Sequence, residues 1–158
     1  MAFRAFTVKQ LVVGFAVVGF VMAWGTHAER DVVVAQNRTP IKVTRIFTGP
    51  DGQTHSEVVD IKLTSSRGAT DLSEMVNVKG LQFRRTLPNF FSDWHQAPRR
   101  QYIVTLSGRG EVELTGGRKI PLTPGHILLA EDTTGKGHIS RGVGSDDRIS
   151  LIIPLAER

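Results

Sequence analysis

Apolar and polar residues alternate along the chain from residue 41 onward. Within residues 41–47, Ile41 and Val43 fall on one face of a candidate strand and the polar side chains between them fall on the other. A Gly-Pro-Asp-Gly sequence at 49–52 follows, and the alternation resumes over 57–63. A period of two is typical of a half-buried β-strand, and this four-residue run favours a turn. The two segments therefore predict a β-hairpin.

Further short strands follow, each bounded by turn-forming residues. They are predicted over 81–86, 101–106, 111–114, 120–122, 127–130 and 148–155. One stretch, 65–77, instead predicts a short helical turn, because Asp71 is a good N-cap for a segment that carries Leu72, Met75 and Val76. About nine or ten strands, with turn signals roughly every 6 to 12 residues, indicate an all-β protein, either a β-sandwich or a small β-barrel.

The amino-terminal segment has the pattern of an export signal. Arg4 and Lys9 precede an apolar run over 11–24. This run of about 14 residues is shorter than the roughly 20 that an ordinary membrane-spanning helix needs. Thr26 and Ala28 supply small residues at the positions that signal peptidases prefer. We therefore expect cleavage after residue 28.

This pattern predicts the domain organisation and the compartment. Residues 1–28 are expected to be a signal peptide, 29–40 a linker, and 41–158 a single β-barrel domain. The mature protein would then be periplasmic or secreted. The alternative is that the apolar run at 11–24 is retained and anchors the protein in a membrane, which would be the chain's only membrane contact.

Composition excludes several kinds of chemistry. The 158 residues include no cysteine, which rules out disulfides, thiolate nucleophiles, Fe–S clusters and cysteine-based zinc sites. Any metal must be held by histidine, carboxylate or amide groups. The formal charge of +5 is dispersed and forms no basic stripe with interleaved aromatic residues. We therefore expect no binding to nucleic acid.

Two segments resemble the paired motifs of the cupin superfamily. The run WHQAPRRQYIVTLSGRGEVEL at 94–114 is similar to the first motif, which has two histidines on one strand, then a glutamate, then a glycine. The run KIPLTPGHILLAEDTTGKGHISR at 119–141 is similar to the second, with its Pro-Gly turn and later histidine. The resemblance covers roughly residues 80–155 and implies a cupin-type jelly-roll barrel. In that family three histidines and the glutamate converge on Fe, Mn, Zn, Cu or Ni inside the barrel.

The family's ligands carry over only in part. His95 matches the first histidine of the first motif, and His138 matches the histidine of the second. Ala97 stands at the place of the second histidine, and Gln101 stands at the place of the glutamate. The resemblance therefore implies a divalent-metal site formed by His95, Gln101 and His138, with open positions for water or substrate.

Acidic residues just before His138 are candidates for acid/base chemistry. Glu131 and Asp132 are neighbours at the end of a predicted strand, so one side chain should point into the barrel and the other out. The inward carboxylate would orient the imidazole or act as a general base. We name His138, Glu131 and Asp132 as the candidate catalytic residues.

Three further residues are candidates for contact with a small organic ligand. Arg100 would suit a carboxylate or phosphate on that ligand. Trp94 and Tyr102 would line the mouth of the barrel.

Three functions remain open at this point. The first is a metal-assisted enzyme that acts on a small organic molecule. The second is a metal-free module that binds or senses such a molecule in the barrel interior. The third is metal-free acid/base catalysis with His138 as the base. Cupins often dimerise through edge strands, so a homodimer is also expected.

Overall fold

The computed structural model describes residues 39–156, and these form an almost entirely β structure. The expected signal peptide and all but the last two residues of the expected linker lie outside the described residues. No helix within 39–156 is long and apolar enough to cross a membrane. One short 3-10 turn, at Thr115–Gly117, interrupts the strands.

Twelve strands make up the described part of the chain. They are β1 (Ile41–Thr48), β2 (Thr54–Ile61), β3 (Leu63–Arg67), β4 (Thr70–Ser73), β5 (Gln82–Thr86), β6 (Phe91–His95), β7 (Gln101–Ser107), β8 (Gly110–Glu113), β9 (Lys119–Leu122), β10 (Ile127–Glu131), β11 (His138–Gly142) and β12 (Arg148–Pro154).

The strands form two main sheets. A six-stranded sheet has the order β2-β1-β10-β7-β12-β5, and a four-stranded sheet has the order β6-β11-β8-β9. Strands β1 and β2 pair antiparallel from Ile41 opposite Ile61 to Thr48 opposite Thr54, which confirms the predicted hairpin. Strand β1 also pairs in parallel with β10, more than 80 residues later in the chain.

The core lies between these two sheets. Ile103 and Leu128 are buried on the six-stranded sheet, and Val112 and Leu122 are buried on the four-stranded sheet. All four belong to one apolar cluster, so the inner faces of the sheets pack on one another. Two facing antiparallel-rich sheets are the architecture of a jelly roll, which confirms the predicted all-β fold class.

The segment 65–77 is not helical, and that prediction was wrong. Strands β3 and β4 form a separate two-stranded hairpin that turns at Gly68, whose φ of +57° suits glycine. Asp71 does not cap a helix, because its carboxylate accepts a hydrogen bond of 2.7 Å from Ser66 on the opposite strand. Met75 is 97% exposed. The apolar residues of this segment therefore had no core contact that would favour a helix.

Candidate functional site

A cavity of about 520 Å³ lies between the two sheets. Its walls include apolar side chains from both sheets, such as Ile103 and Val112. Its polar lining includes His95, His138 and Gln101. The three residues named from the sequence as metal ligands thus line one cavity, of a size typical for small-molecule sites.

The two histidines face each other across adjacent strands. His95 is the last residue of β6 and His138 is the first of β11, and they are direct partners in the antiparallel pairing. Directly opposed residues share one face of a sheet. The two imidazole rings consequently lie 4.5 Å apart between centroids, with their planes inclined at 56°.

A buried carboxylate holds the His138 ring. The Nδ1 atom of His138 lies 2.6 Å from Oδ2 of Asp132, and the Asp132 side chain has no exposed surface. Thr54 donates a further hydrogen bond of 3.3 Å to the same carboxylate oxygen. A carboxylate accepts, so Nδ1 of His138 carries a proton, and whenever the ring is neutral its Nε2 has a free lone pair. Asp132 is therefore placed to set the tautomer and orientation of this ring.

The His95 ring has the same tautomer for a different reason. Its Nδ1 lies 2.7 Å from the backbone carbonyl oxygen of Asp93, which can only accept a hydrogen bond. The Ser92 hydroxyl lies 3.1 Å from the same nitrogen. Neither His95 Nε2 nor His138 Nε2 has a hydrogen-bond partner within residues 39–156. Both lone pairs are available to a ligand in the cavity.

The donor set fits a divalent ion with open coordination positions. Gln101 starts β7, is 6% exposed and lines the cavity. Its amide oxygen would join two imidazole nitrogens, a combination that borderline divalent metals accept. Ala97, at the position of the family's second histidine, is buried in the same wall. In the part of the chain that the structure describes, no cluster of three His, Cys, Asp or Glu residues could hold a metal without an amide.

Glu131 lies outside the cavity, and its side chain points to the opposite side from that of Asp132. Its carboxylate accepts a hydrogen bond of 2.5 Å from Arg45 and one of 2.7 Å from Nε of Arg100. Burial opposes ionisation of Glu131, but these two guanidinium groups outweigh burial and hold its pKa below the ordinary value. Glu131 and Arg100 line a second, separate pocket with Arg45, so neither reaches His138. The structure thus places the inward position at Asp132 and the outward one at Glu131.

The two aromatic candidates also lie away from the cavity wall. Trp94 packs beneath Lys136, whose Nζ is 4.0 Å from the centre of a Trp94 ring. Tyr102 lies between Gln101 and Ile103 on β7, and those two neighbours face inward. By alternation Tyr102 faces the other side of the sheet. The predicted contacts of Trp94, Tyr102 and Arg100 with a ligand in the main cavity do not match this placement.

Sequence reasoning missed three arginines in the cavity wall, Arg84, Arg85 and Arg148. Arg85 is exposed and pairs with Asp147 at 3.5 Å. Arg148 is only 3% exposed. Burial, and secondarily the charge of Arg84, lower the pKa of Arg148 to about 10, so it is still protonated at pH 7. Burial also lowers the pKa of Arg84. Alternation along β12 could have identified Arg148 as an inward residue. Arg148 lies on the same face of the strand as the buried Ser150 and Ile152.

Comparison with known proteins finds similarity at the level of structure. No family model matches the chain, and the search of curated proteins found no similar sequence. An RmlC-like cupin protein from Desulfovibrio desulfuricans is 26% identical, with 52% of this chain and 76% of that chain covered and a TM-score of 0.37. A putative ethanolamine utilization protein from Salmonella typhimurium is 17% identical, with 76% and 100% covered and a TM-score of 0.39. A protein from Neisseria meningitidis is 18% identical, with 52% and 81% covered and a TM-score of 0.39.

The predicted architecture and the described one agree. Two facing sheets enclose a cavity, and the strands that carry the two sequence motifs, β6 to β8 and β9 to β11, bring His95 and His138 together on its wall. A fold of this kind supports many reactions and does not itself select one. The described part of this chain has the two-sheet jelly-roll architecture that its resemblance to the cupin motifs implies.

Proposed function

We propose that this protein binds a divalent metal through His95, Gln101 and His138 and binds or transforms a small organic molecule in the same cavity. The observation that carries the proposal is the state of the two imidazoles. Each Nδ1 has a fixed acceptor, neither Nε2 has a hydrogen-bond partner within residues 39–156, and both histidines line the cavity. A histidine that only packs in a core would normally have a hydrogen-bond partner for Nε2 as well.

The protein's own groups would do three things at this site. Asp132 holds the His138 ring in one tautomer, and the Asp93 carbonyl does the same for His95. Gln101 contributes an amide that can face a metal or a substrate oxygen. The apolar walls around them limit the access of water. A bound divalent ion would supply Lewis acidity towards a substrate oxygen.

Elemental analysis of the exported protein, purified without nickel affinity, tests the proposal. We expect close to one equivalent of Fe, Mn, Zn, Cu or Ni, lost in His95→Ala and in His138→Ala. His55→Ala is the matched control, because His55 is exposed and pairs with Asp51 outside the cavity. Intact mass of the same sample reports the proposed export, since cleavage after residue 28 leaves a chain that begins at Glu29.

A wild-type protein that contains no metal, and takes none up on reconstitution, would overturn the metal site. The cavity would then serve the second candidate function, metal-free binding of a small molecule. Ala97 and Gln101 favour this alternative, because they stand where a fully equipped metal site would have a histidine and a carboxylate. Ligand binding that is indifferent to a chelator would identify it.

A further inference from the structure

We propose that the cavity takes an organic carboxylate, with the carboxylate group held by Arg84 and Arg148 and the rest of the molecule directed towards His95 and His138. The inference rests on the proposed function for the location of the binding site, but it does not depend on the metal. Five observations lead to it.

The two arginines share the inner face of the six-stranded sheet. In the pairing of β5 with β12, Arg148 lies opposite Thr86 and Arg84 lies opposite Ser150. Directly opposed residues share a face, and so do residues two apart on one strand. Ser150 has no exposed surface and Thr86 is buried. Both guanidinium groups therefore come from inward-facing positions and line the same cavity.

Neither Arg84 nor Arg148 has a hydrogen-bond or ion-pair partner among the described residues. The Nε of Arg84 and the Nε and Nη1 of Arg148 are buried with no hydrogen-bond partner within residues 39–156. The described residues that line the cavity include no aspartate or glutamate. A buried cation without a partner is strongly unfavourable, so such groups normally mark the place of an anion.

Two arginines that lie outside the cavity do have acidic partners. Arg45 pairs with Glu57 and Glu131, and Arg141 pairs with both Glu111 and Glu113. Arg45 and Arg141 thus have acidic partners, whereas Arg84 and Arg148 have none within residues 39–156. This contrast is the expected result if the partner of the inner pair comes from solution.

The backbone makes room for Arg148. A Cβ atom at Gly110 would lie 3.0 Å from Nε of Arg148 and 2.9 Å from the backbone oxygen of Arg141. Gly110 is therefore a position where a larger residue would displace the Arg148 side chain. Gly110 pairs with Gly142 at the last position of β11, whereas His138 is the first residue of that strand.

This geometry separates the two polar parts of the cavity. Four residues of strand correspond to about 13 Å, so the arginine end and the histidine end lie well apart along β11. Apolar side chains, including Ile103, Val112 and Leu128, line the same cavity. A guanidinium binds a carboxylate, as it does a phosphate, with two parallel hydrogen bonds, and the apolar lining favours an anion that carries an apolar body. The ligand that fits is a molecule with a carboxylate at one end and an apolar body, rather than an inorganic anion.

Calorimetric titration with a probe series tests this inference. The probes are hexanoate and benzoate, with hexanamide and benzamide as neutral counterparts and inorganic phosphate as an anion without an apolar body. The protein is treated with chelator beforehand. We expect at least one carboxylate to bind, its amide to bind at least about 10-fold more weakly, and phosphate to bind less well than the carboxylate.

Two variants and a matched control locate the site. Arg84→Met and Arg148→Met should each weaken carboxylate binding by about 10- to 100-fold. Arg118→Met should not, because Arg118 is exposed and lies outside the cavity. Circular dichroism checks that each variant is folded. Arg148→Lys keeps the positive charge but lacks the planar guanidinium group, and we expect it to bind the carboxylate more weakly than wild type does.

The inference is overturned if no carboxylate binds, if the amides bind equally well, if phosphate binds best, or if both Met variants retain wild-type affinity. Failure of the metal proposal is a separate outcome. Carboxylate binding that survives in chelator and in His138→Ala leaves the arginine site standing without a metal. Carboxylate binding that is lost in His138→Ala and in chelator would instead mean that a metal holds the carboxylate, which contradicts the inference.

Discussion

Single residues decide what the cavity can do. His95, His138 and Gln101 could be named in advance because the spacing of two sequence motifs marks them, whatever the rest of the chain does. The parity of neighbouring residues also indicated that Glu131 and Asp132 point to opposite sides. The alternation of side chains along the strand does not determine which of the two points inward, because that depends on the register between strands that are far apart in sequence. Arg84 and Arg148 were missed because a charged residue in an alternating strand is normally assigned to the solvent face.

The Asp132 carboxylate gives a prediction at this scale. Asp132→Asn removes the anion that accepts from Nδ1 of His138 while keeping the shape of the side chain. We expect metal affinity to fall by about 10- to 100-fold, as for other residues that orient a metal-bound histidine. Competition with a fluorescent zinc chelator measures the change.

The matched control for this prediction is Asp146→Asn. Asp146 is an exposed acid that does not line the cavity, so its variant should bind metal like the wild type. Equal metal affinities for wild type and Asp132→Asn, with both proteins folded, would show that this carboxylate does not position the histidine.

At the scale of elements, the positions of most strands could be predicted from the sequence. Pairing could be predicted only for strands that are neighbours in the chain. Alternation located most strands, and the β1–β2 hairpin followed from its turn. The β3–β4 hairpin was predicted as a helical turn because a capping residue such as Asp71 is ambiguous until its partner on the other strand is known. The parallel pairing of β1 with β10 leaves no local signal, since the partners are brought together only by the complete sheet.

The Glu131 cluster joins three of these strands and predicts a dependence of stability on pH. Glu131 ends β10, Arg45 lies on β1, and Arg100 directly precedes β7. The pKa of Glu131 is lowered from 4.5 in the folded protein. Its ion pairs therefore stabilise the fold fully above that ordinary value, and this stabilisation is lost as the pH falls through the lower folded-state pKa.

Glu131→Gln should accordingly lower the free energy of unfolding by about 1–3 kcal/mol at pH 7, with a smaller difference from wild type in acid. Urea unfolding at pH 7 and pH 3.5 measures both values. Glu57→Gln is the control, since Glu57 pairs with the same Arg45 at a more exposed position and should cost at most about 1 kcal/mol. A Glu131→Gln deficit that is as large at pH 3.5 as at pH 7 would contradict this account.

The whole molecule separates its charges between two environments. Arg45 and Arg141, outside the cavity, pair with acidic residues. The cavity between the sheets combines apolar walls with two imidazoles, an amide and two guanidinium groups that have no partner within residues 39–156. Local sequence patterns could predict the sheets but not this cavity, because its lining comes from strands that span most of the domain. This arrangement supports the proposed site, in which the histidine end would bind a metal and the arginine end an anion.

The central claim is that the Nε2 atoms of His95 and His138 jointly face a metal. Long-range ¹H–¹⁵N correlation spectra of the histidine rings test it most directly. In metal-free protein at pH 8, both rings should show a protonated Nδ1 and an unprotonated Nε2. One equivalent of Zn²⁺ should shift Nε2 of both rings together and leave the rings of His55 and His126 unchanged. A protonated Nε2 on either ring, or a spectrum unaltered by Zn²⁺, would contradict the account.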